Sequence, residues 1–408
     1  VSSDVKVLPR AGYMLLGPAF VAAIAYVDPG NVAANVSAGA QFGFLLVWVI
    51  LVANAMAGLV QYLSAKLGLV TGRSLPESVA DHTRTPTRIA FWLQAELVAV
   101  ATDLAEVVGG AIALHLLFGL PLLWGGLITG VVSLLLLAVQ NHRGQRAFER
   151  VITGLLLVIA IGFLTSLVVE PPSAGDVAAG LVPRFDGAES ILLATAMLGA
   201  TVMPHAVYLH SGLARDRHGQ PEAGAPRRRM LRITRYDVGL AMLVAGAVNL
   251  AMLLVAATNL QGMADTDSIE GAYAAVQGTL GPTVALFFAV GLLASGLAST
   301  SVGAYAGAMI MQGLLRRSYP LLLRRVVTLI PALAILAIGV DPSRALVLSQ
   351  VVLSFGIPFA LIPLIRLTGN RELMGDDVNH RVTTVLGWLV AAIITVLNVV
   401  LIYLTVMR

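Results

Sequence analysis

Two long apolar segments of this 408-residue chain are each broken near their middle by a short polar sequence built around a proline. These are Asp28-Pro29-Gly30-Asn31 in the first segment and Met203-Pro204-His205 in the sixth. Proline has no amide hydrogen, so each one removes the helical hydrogen bond to the carbonyl four residues back. Pro29 therefore frees the carbonyl of Ala25, and Pro204 frees that of Ala200. Lipid offers no water to bond a freed backbone group, and such a break persists only where it faces a cavity or a ligand. Each freed oxygen lies close in sequence to side chains able to ligate a cation, Asp28 and Asn31 at the first break and Met203 at the second. Two carbonyls, a carboxylate, an amide and a thioether have the chemistry of a cation site.

Composition places these segments in a membrane. The chain is 58% hydrophobic and 12% charged, whereas a soluble domain is roughly 25% charged. Runs long enough to cross a core of about 30 Å fall near residues 11–38, 43–65, 89–114, 120–139, 147–169, 188–211, 237–259, 283–314, 320–340, 345–365 and 382–405. The expectation is an all-α polytopic protein of eleven spans. Of its 26 Lys and Arg residues, 23 fall in the N-terminal stretch and every second connection after it, and only Arg184, Arg344 and Arg408 fall in the others. That bias puts the N terminus in the cytoplasm and the C terminus outside. It also accounts for the basic balance without a nucleic-acid partner. The sparsely basic side carries Glu170, Asp176, Asp186, Glu189, Asp265, Asp267, Glu270 and Asp341, which would concentrate cations there. The first run is expected to be a retained span, not a signal peptide. The stretch 215–235, with Pro221, Gly224, Pro226 and Arg227-Arg228-Arg229, reads as a mobile cytoplasmic connection.

Five spans begin with each break, and Pro29 and Pro204 are 175 residues apart. Because five is odd, the second set must enter the membrane with opposite topology. This is the pattern of a LeuT-type inverted repeat with its site near the bilayer midplane. The expected division is 1–170 for the first repeat, 171–368 for the second and 369–408 for an accessory eleventh helix.

The third span adds Glu96, Asp103 and Glu106, whose spacing of seven and three puts them on one helical face. Carboxyl groups inside a membrane are costly and functional by default. Together with Asp28 they outline a proton route beside the cation site. His205 fits a proton-handling role and a packed structural one equally well.

Asp28-Pro29-Gly30-Asn31, the stretch Ala200-Thr201-Val202-Met203-Pro204-His205, and Ser295-Gly296 through Ser299-Thr300 to Gly303, Tyr305, Ala306 and Gly307 together resemble the Nramp family of divalent-metal transporters, in its bacterial manganese-transporting branch. The third motif departs from the usual pattern, with Leu297 and Ala308 where glutamine is common. The resemblance implies proton-coupled uptake of manganese and iron, with cadmium and cobalt also carried, by a monomer in the cell membrane that needs no resident cofactor. It implies metal ligation by Asp28, Asn31, Met203 and the Ala200 carbonyl, joined in some conformations by the Ala25 carbonyl, Thr201 and Gln350. It further suggests that Glu96 pairs with Arg324 or Arg325 to close an inner gate.

Met203 is the expected source of selectivity. Calcium and magnesium take oxygen ligands, while manganese, iron and cadmium accept soft donors increasingly well. Other readings of the same architecture are an amino-acid or sodium symporter, or a metal sensor that does not transport. The first would have small residues at the first break in place of the charged and thioether donors, and the second a large soluble signalling region. No His-Glu-x-x-His pattern or serine-histidine constellation points to an enzyme.

Overall fold

The computed structural model describes residues 17–263, 268–317 and 320–406. Asp265, Asp267, Arg408 and the start of the first predicted span lie outside the described residues. The first span is split into α1 (Pro18–Ile24), a 3-10 turn over Ala25–Val27, and α2 (Pro29–Phe42). The second is α3 (Val47–Thr71), and a short helix α4 (Leu75–Asp81) leads on to the third. Spans three to five are α5 (Thr85–Phe118), α6 (Leu122–Arg143) and α7 (Gln145–Val169). After the short α8 (Ala174–Ala179) the sixth span is also split, into α9 (Gly187–Thr201) and α10 (Pro204–His218). There follow α11 (Ala225–Asn259), the shorter α12 (Ile269–Thr279), α13 (Pro282–Leu315), α14 (Leu321–Ile338) and α15 (Pro342–Thr368). A single turn, α16 (Arg371–Met374), precedes the last span, α17 (Arg381–Val406). Each of the eleven predicted runs thus has its helix or pair of half-helices. Length and hydropathy mark this as an integral membrane protein.

One expectation is corrected. The connection read over 215–235 is much shorter, because α10 continues to His218 and α11 begins at Ala225. Pro226 sits in the first turn of α11, where its missing amide costs nothing and its fixed φ suits a helix start. Arg227, Arg228 and Arg229 are therefore helical, and Arg227 pairs with Asp377 at 3.4 Å.

Helices in lipid gain little from the hydrophobic effect between them and associate through close packing and interhelical hydrogen bonds. The α5–α13 contact shows how this sequence does it. A Cβ placed on Gly296 would come within 2.9 Å of the Gly110 amide nitrogen. The two helices therefore meet backbone to backbone. One residue earlier on α5, a Cβ on Gly109 would strike the Pro29 ring, so the small residues of the third span also seat the first break. The packing centre of the molecule and the broken helices coincide.

Candidate metal centre

Each break ends one helix and starts another. At the first, Asp28 adopts extended geometry (φ −73°, ψ 169°) and caps α2, accepting the Asn31 amide at 2.8 Å. At the second, Val202 leaves the helix and Met203 (φ −67°, ψ 123°) precedes Pro204 with no side-chain cap. Four half-helix ends converge here. The positive N-termini of α2 and α10 and the carbonyl end of α9 are the usual setting of a site in broken helices.

Asn31 joins the two breaks. Its Nδ2 donates to Asp28 Oδ1 at 2.8 Å and to the Ala200 carbonyl at 2.9 Å. The oxygen freed by Pro204 is thus met by a side chain of the other break. Asp28, Asn31, Ala200, Met203 and Gln350 are all fully buried, at 0% exposure. Gln350, on α15, lies directly over the first break, since a Cβ on Gly30 would collide with its side chain. Its Nε2 donates to Ser349 Oγ at 3.1 Å. Asp28 Oδ2, Asn31 Oδ1 and Gln350 Oε1 are buried acceptors with no hydrogen-bond partner. A lone unpaired acceptor of this kind costs a few kcal/mol, so three gathered around the first break mark a place suited to a positive ligand.

Two expected donors stand differently. The Thr201 hydroxyl is turned back onto its own helix and bonds the Met197 carbonyl at 2.7 Å. Ala25 is buried at the start of the 3-10 turn, but the bonds that fix this turn fall on the next two carbonyls. Tyr26 O accepts from Asn249 Nδ2 at 2.7 Å, and Val27 O from Ser295 Oγ at 2.5 Å. Asn249 is held in turn by Asn35 Nδ2 at 3.0 Å. Asn35 and Asn249 were not singled out from the sequence, although an amide buried in an apolar run always needs a partner and is a usable signal.

The third-span carboxyls do share a face, turned toward α13 and α14. Glu96 accepts from Arg324 Nη2 at 2.8 Å. Arg325 pairs instead with Asp103, at 2.6 Å, and is anchored by Ser133 Oγ at 3.0 Å and by the Thr300 hydroxyl. Of the two arginines considered for Glu96, it is Arg324 that meets it. Glu106 Oε2 has no partner, and its carboxyl lies against Gly303. His205 is buried, with Nδ1 3.4 Å from the Thr102 hydroxyl and Nε2 unpaired. The third motif supplies room for these charges. A Cβ on Gly303 would come within 2.9 Å of the Glu106 carboxylate, and one on Gly307 would strike the Arg324 guanidinium.

Among the described residues no group of three or more His, Asp or Glu side chains is placed to hold a metal. The donor set at the breaks is of another kind, one carboxylate with amide oxygens, a backbone carbonyl and a thioether. Such a set suits a borderline or soft divalent ion.

Comparison with known proteins bears on the family and the fold. The chain is 69% identical over 406 residues to the divalent metal cation transporter MntH of Mycobacterium tuberculosis, covering all of this chain and 95% of that one. The crystal structure of the Eremococcus coleocola manganese transporter, bound to an aromatic bis-isothiourea compound, superposes with a TM-score of 0.85 at 31% identity, covering 98% of this chain and 89% of that one. A more distant likeness, to the nucleobase-cation symporter Mhp1 (TM-score 0.60, 16% identity, 95% and 90% coverage), shows the LeuT-type fold alone. The model of the Natural resistance-associated macrophage protein-like family matches residues 19–404, and the chain belongs to the Nramp family.

Proposed function

We propose that this protein carries divalent transition-metal ions, manganese and iron foremost with cadmium and cobalt also accepted, into the cell together with protons by alternating access. The observation that carries the reading is the set of unpaired acceptors, Asp28 Oδ2, Asn31 Oδ1 and Gln350 Oε1, buried at the junction of the two broken helices. The names of the relatives, a divalent metal cation transporter and a manganese transporter, support the same class of substrate.

Asp28 supplies the negative charge, Asn31 and the Ala200 carbonyl supply oxygens, and the Met203 thioether disfavours hard ions. Asn31 Nδ2 now occupies the Ala200 carbonyl. Turning this amide aside frees the carbonyl for the ion, beside the Asn31 oxygen that is already unpaired. Asp103, Glu106 and His205 line the proton path, and the Glu96–Arg324 pair closes the cytoplasmic side. The N terminus is cytoplasmic and the C terminus outside, with the repeats 1–170 and 171–368 rocking against each other and 369–408 as the added helix. A doubly charged ion gains about 4.6 kcal/mol per 100 mV on entering a negative interior, so proton coupling is needed only for accumulation beyond that gradient.

The test is manganese uptake into proteoliposomes containing a manganese-sensitive dye, with and without an inward pH gradient. Uptake accelerated by the gradient is expected. Manganese flux that ignores it sinks the coupling, and no flux at all sinks the transport reading.

A further inference from the structure

The rule that exposes Ala200 operates again in α15. Pro358 lies inside this helix and leaves the carbonyl four residues earlier, that of Ser354, without its helical donor. The replacement comes from the accessory helix. Asn398 of α17 donates from Nδ2 to the Ser354 carbonyl at 3.0 Å. The Ser354 hydroxyl lies 2.6 Å from Asn398 Oδ1 and 2.7 Å from the Val351 carbonyl, and is shared between them. Asn398 is 5% exposed, whereas Val396 and Val399 beside it are each 59% exposed. The one amide at this level of α17 therefore points inward onto a carbonyl that needs it.

Ser354 stands one turn from Gln350, and α9 packs against exactly this stretch through a glycine. A Cβ on Gly199 would strike the Gln350 carbonyl and come within 3.0 Å of both the Ser354 amide nitrogen and its Cβ. Gly199 precedes Ala200, whose carbonyl holds Asn31, and the Gln350 side chain lies against Gly30. A continuous series of contacts runs from the accessory helix to both breaks.

We propose that Asn398 is a positioning residue for the metal centre: by capping the carbonyl that Pro358 frees, it fixes the turn of α15 that holds Gln350 against Gly30 and Gly199. This rests on the divalent-metal reading above and gives the eleventh helix, outside the five-plus-five core, a part in it. Without the cap, the Ser354 carbonyl takes whatever donor a different bend of α15 offers. The distance of the Gln350 amide from Asp28 then varies.

The experiment measures manganese binding to purified protein and the KM and maximal rate of manganese uptake in proteoliposomes. Wild-type protein is measured first. No manganese binding there sinks the metal reading together with this inference, whereas binding that Asn398→Leu leaves unaltered sinks the inference alone. Leucine keeps the shape of asparagine and removes both polar atoms. Asn398→Leu is expected to raise KM three- to tenfold with little change in maximal rate per folded transporter. Pro358→Ala restores an amide at 358 that can bond Ser354, and in the Asn398→Leu background it should bring KM back to within twofold of Pro358→Ala alone. In a Gln350→Ala background, Asn398→Leu should add almost nothing, because the two act on one contact. A lower melting temperature with unchanged KM, full additivity with Gln350→Ala, or no suppression by Pro358→Ala would each overturn the proposal. Should Asn398→Leu fail to accumulate, the double variant compared with Pro358→Ala decides the matter by itself.

Discussion

Asp103 and Arg325 form a 2.6 Å ion pair whose side chains are 3% and 0% exposed, between the third and ninth spans. Removing one partner of such a pair strands the other charge, at a cost of about 3–5 kcal/mol, whereas replacing both by apolar residues is far milder. Arg325→Met alone should therefore lower the melting temperature in detergent markedly, and Asp103→Leu/Arg325→Met should recover most of the loss without recovering proton flux. A double variant no more stable than Arg325→Met would show that the pair is not the source of the effect.

Asp103→Asn is expected to slow proton movement more than it weakens metal binding, because its hydrogen-bond partner is Arg325 of α14 and not one of the donors at the breaks. Proton flux and manganese affinity are compared with those of Asp28→Ala. Affinity falling as steeply as in Asp28→Ala, with proton flux intact, would reverse the assignment.

Met203→Ala leaves Asp28, Asn31 and the Ala200 carbonyl in place and removes the soft donor. Manganese, content with oxygen ligands, should still be carried, cadmium should lose the most, and calcium should begin to compete. A tenfold change in preference corresponds to ~1.4 kcal/mol. Uptake of manganese and cadmium in excess calcium, wild type beside mutant, reads it directly. An unchanged ranking would make Met203 a packing residue only.

Gly30→Ala tests the closeness of Gln350 to the first break. The added Cβ overlaps the Gln350 amide group and comes within 2.9 Å of its Cγ, so the amide must leave its place against Gly30. Manganese affinity should drop about tenfold or more, a loss of ~1.4 kcal/mol or above. Wild-type affinity would mean that Gln350 does not contribute to the site in this arrangement.

The chain has no cysteine, so single cysteines report topology cleanly. A cysteine at position 228, in the first turn of α11, should react with an impermeant maleimide only in opened cells, and one at position 270 in intact cells. The reverse pattern would invert the orientation drawn from the arginine bias.

How much of this was legible depends on the distance between cause and effect along the chain. That Pro29 and Pro204 break their helices, and that Pro204 exposes the Ala200 carbonyl, follows from a hydrogen bond four residues long. What satisfies that carbonyl does not follow locally. Asn31 is 169 positions from Ala200, and only packing of the first span against the sixth brings them together. The same holds for Asn249 on the Tyr26 carbonyl and Asn398 on that of Ser354. Glu96, Asp103 and Glu106 could be placed on one face by spacing, but the sequence left both Arg324 and Arg325 open for Glu96. Adjacent residues on a helix point about 100° apart, so only the position of α14 decides which of them turns toward Glu96 and which toward Asp103. The cluster of Pro and Gly before the arginines at 227–229 points to a loop, whereas Pro226 lies in the first turn of α11 and suits a helix start.

The complete burial of Asp28, Asn31, Met203 and Gln350 has a kinetic meaning. An ion seated among them touches neither bathing solution, so it cannot be pushed through by the next one in line as in a pore. On the proposed reading each passage would wait for helices to part on one side and reseal on the other, motions of microseconds to milliseconds or longer. Throughput would then be a count of shape changes, expected to saturate with metal concentration, to steepen with temperature as a conformational barrier does, and to be insensitive to the viscosity-limited arrival of ions once the site is filled.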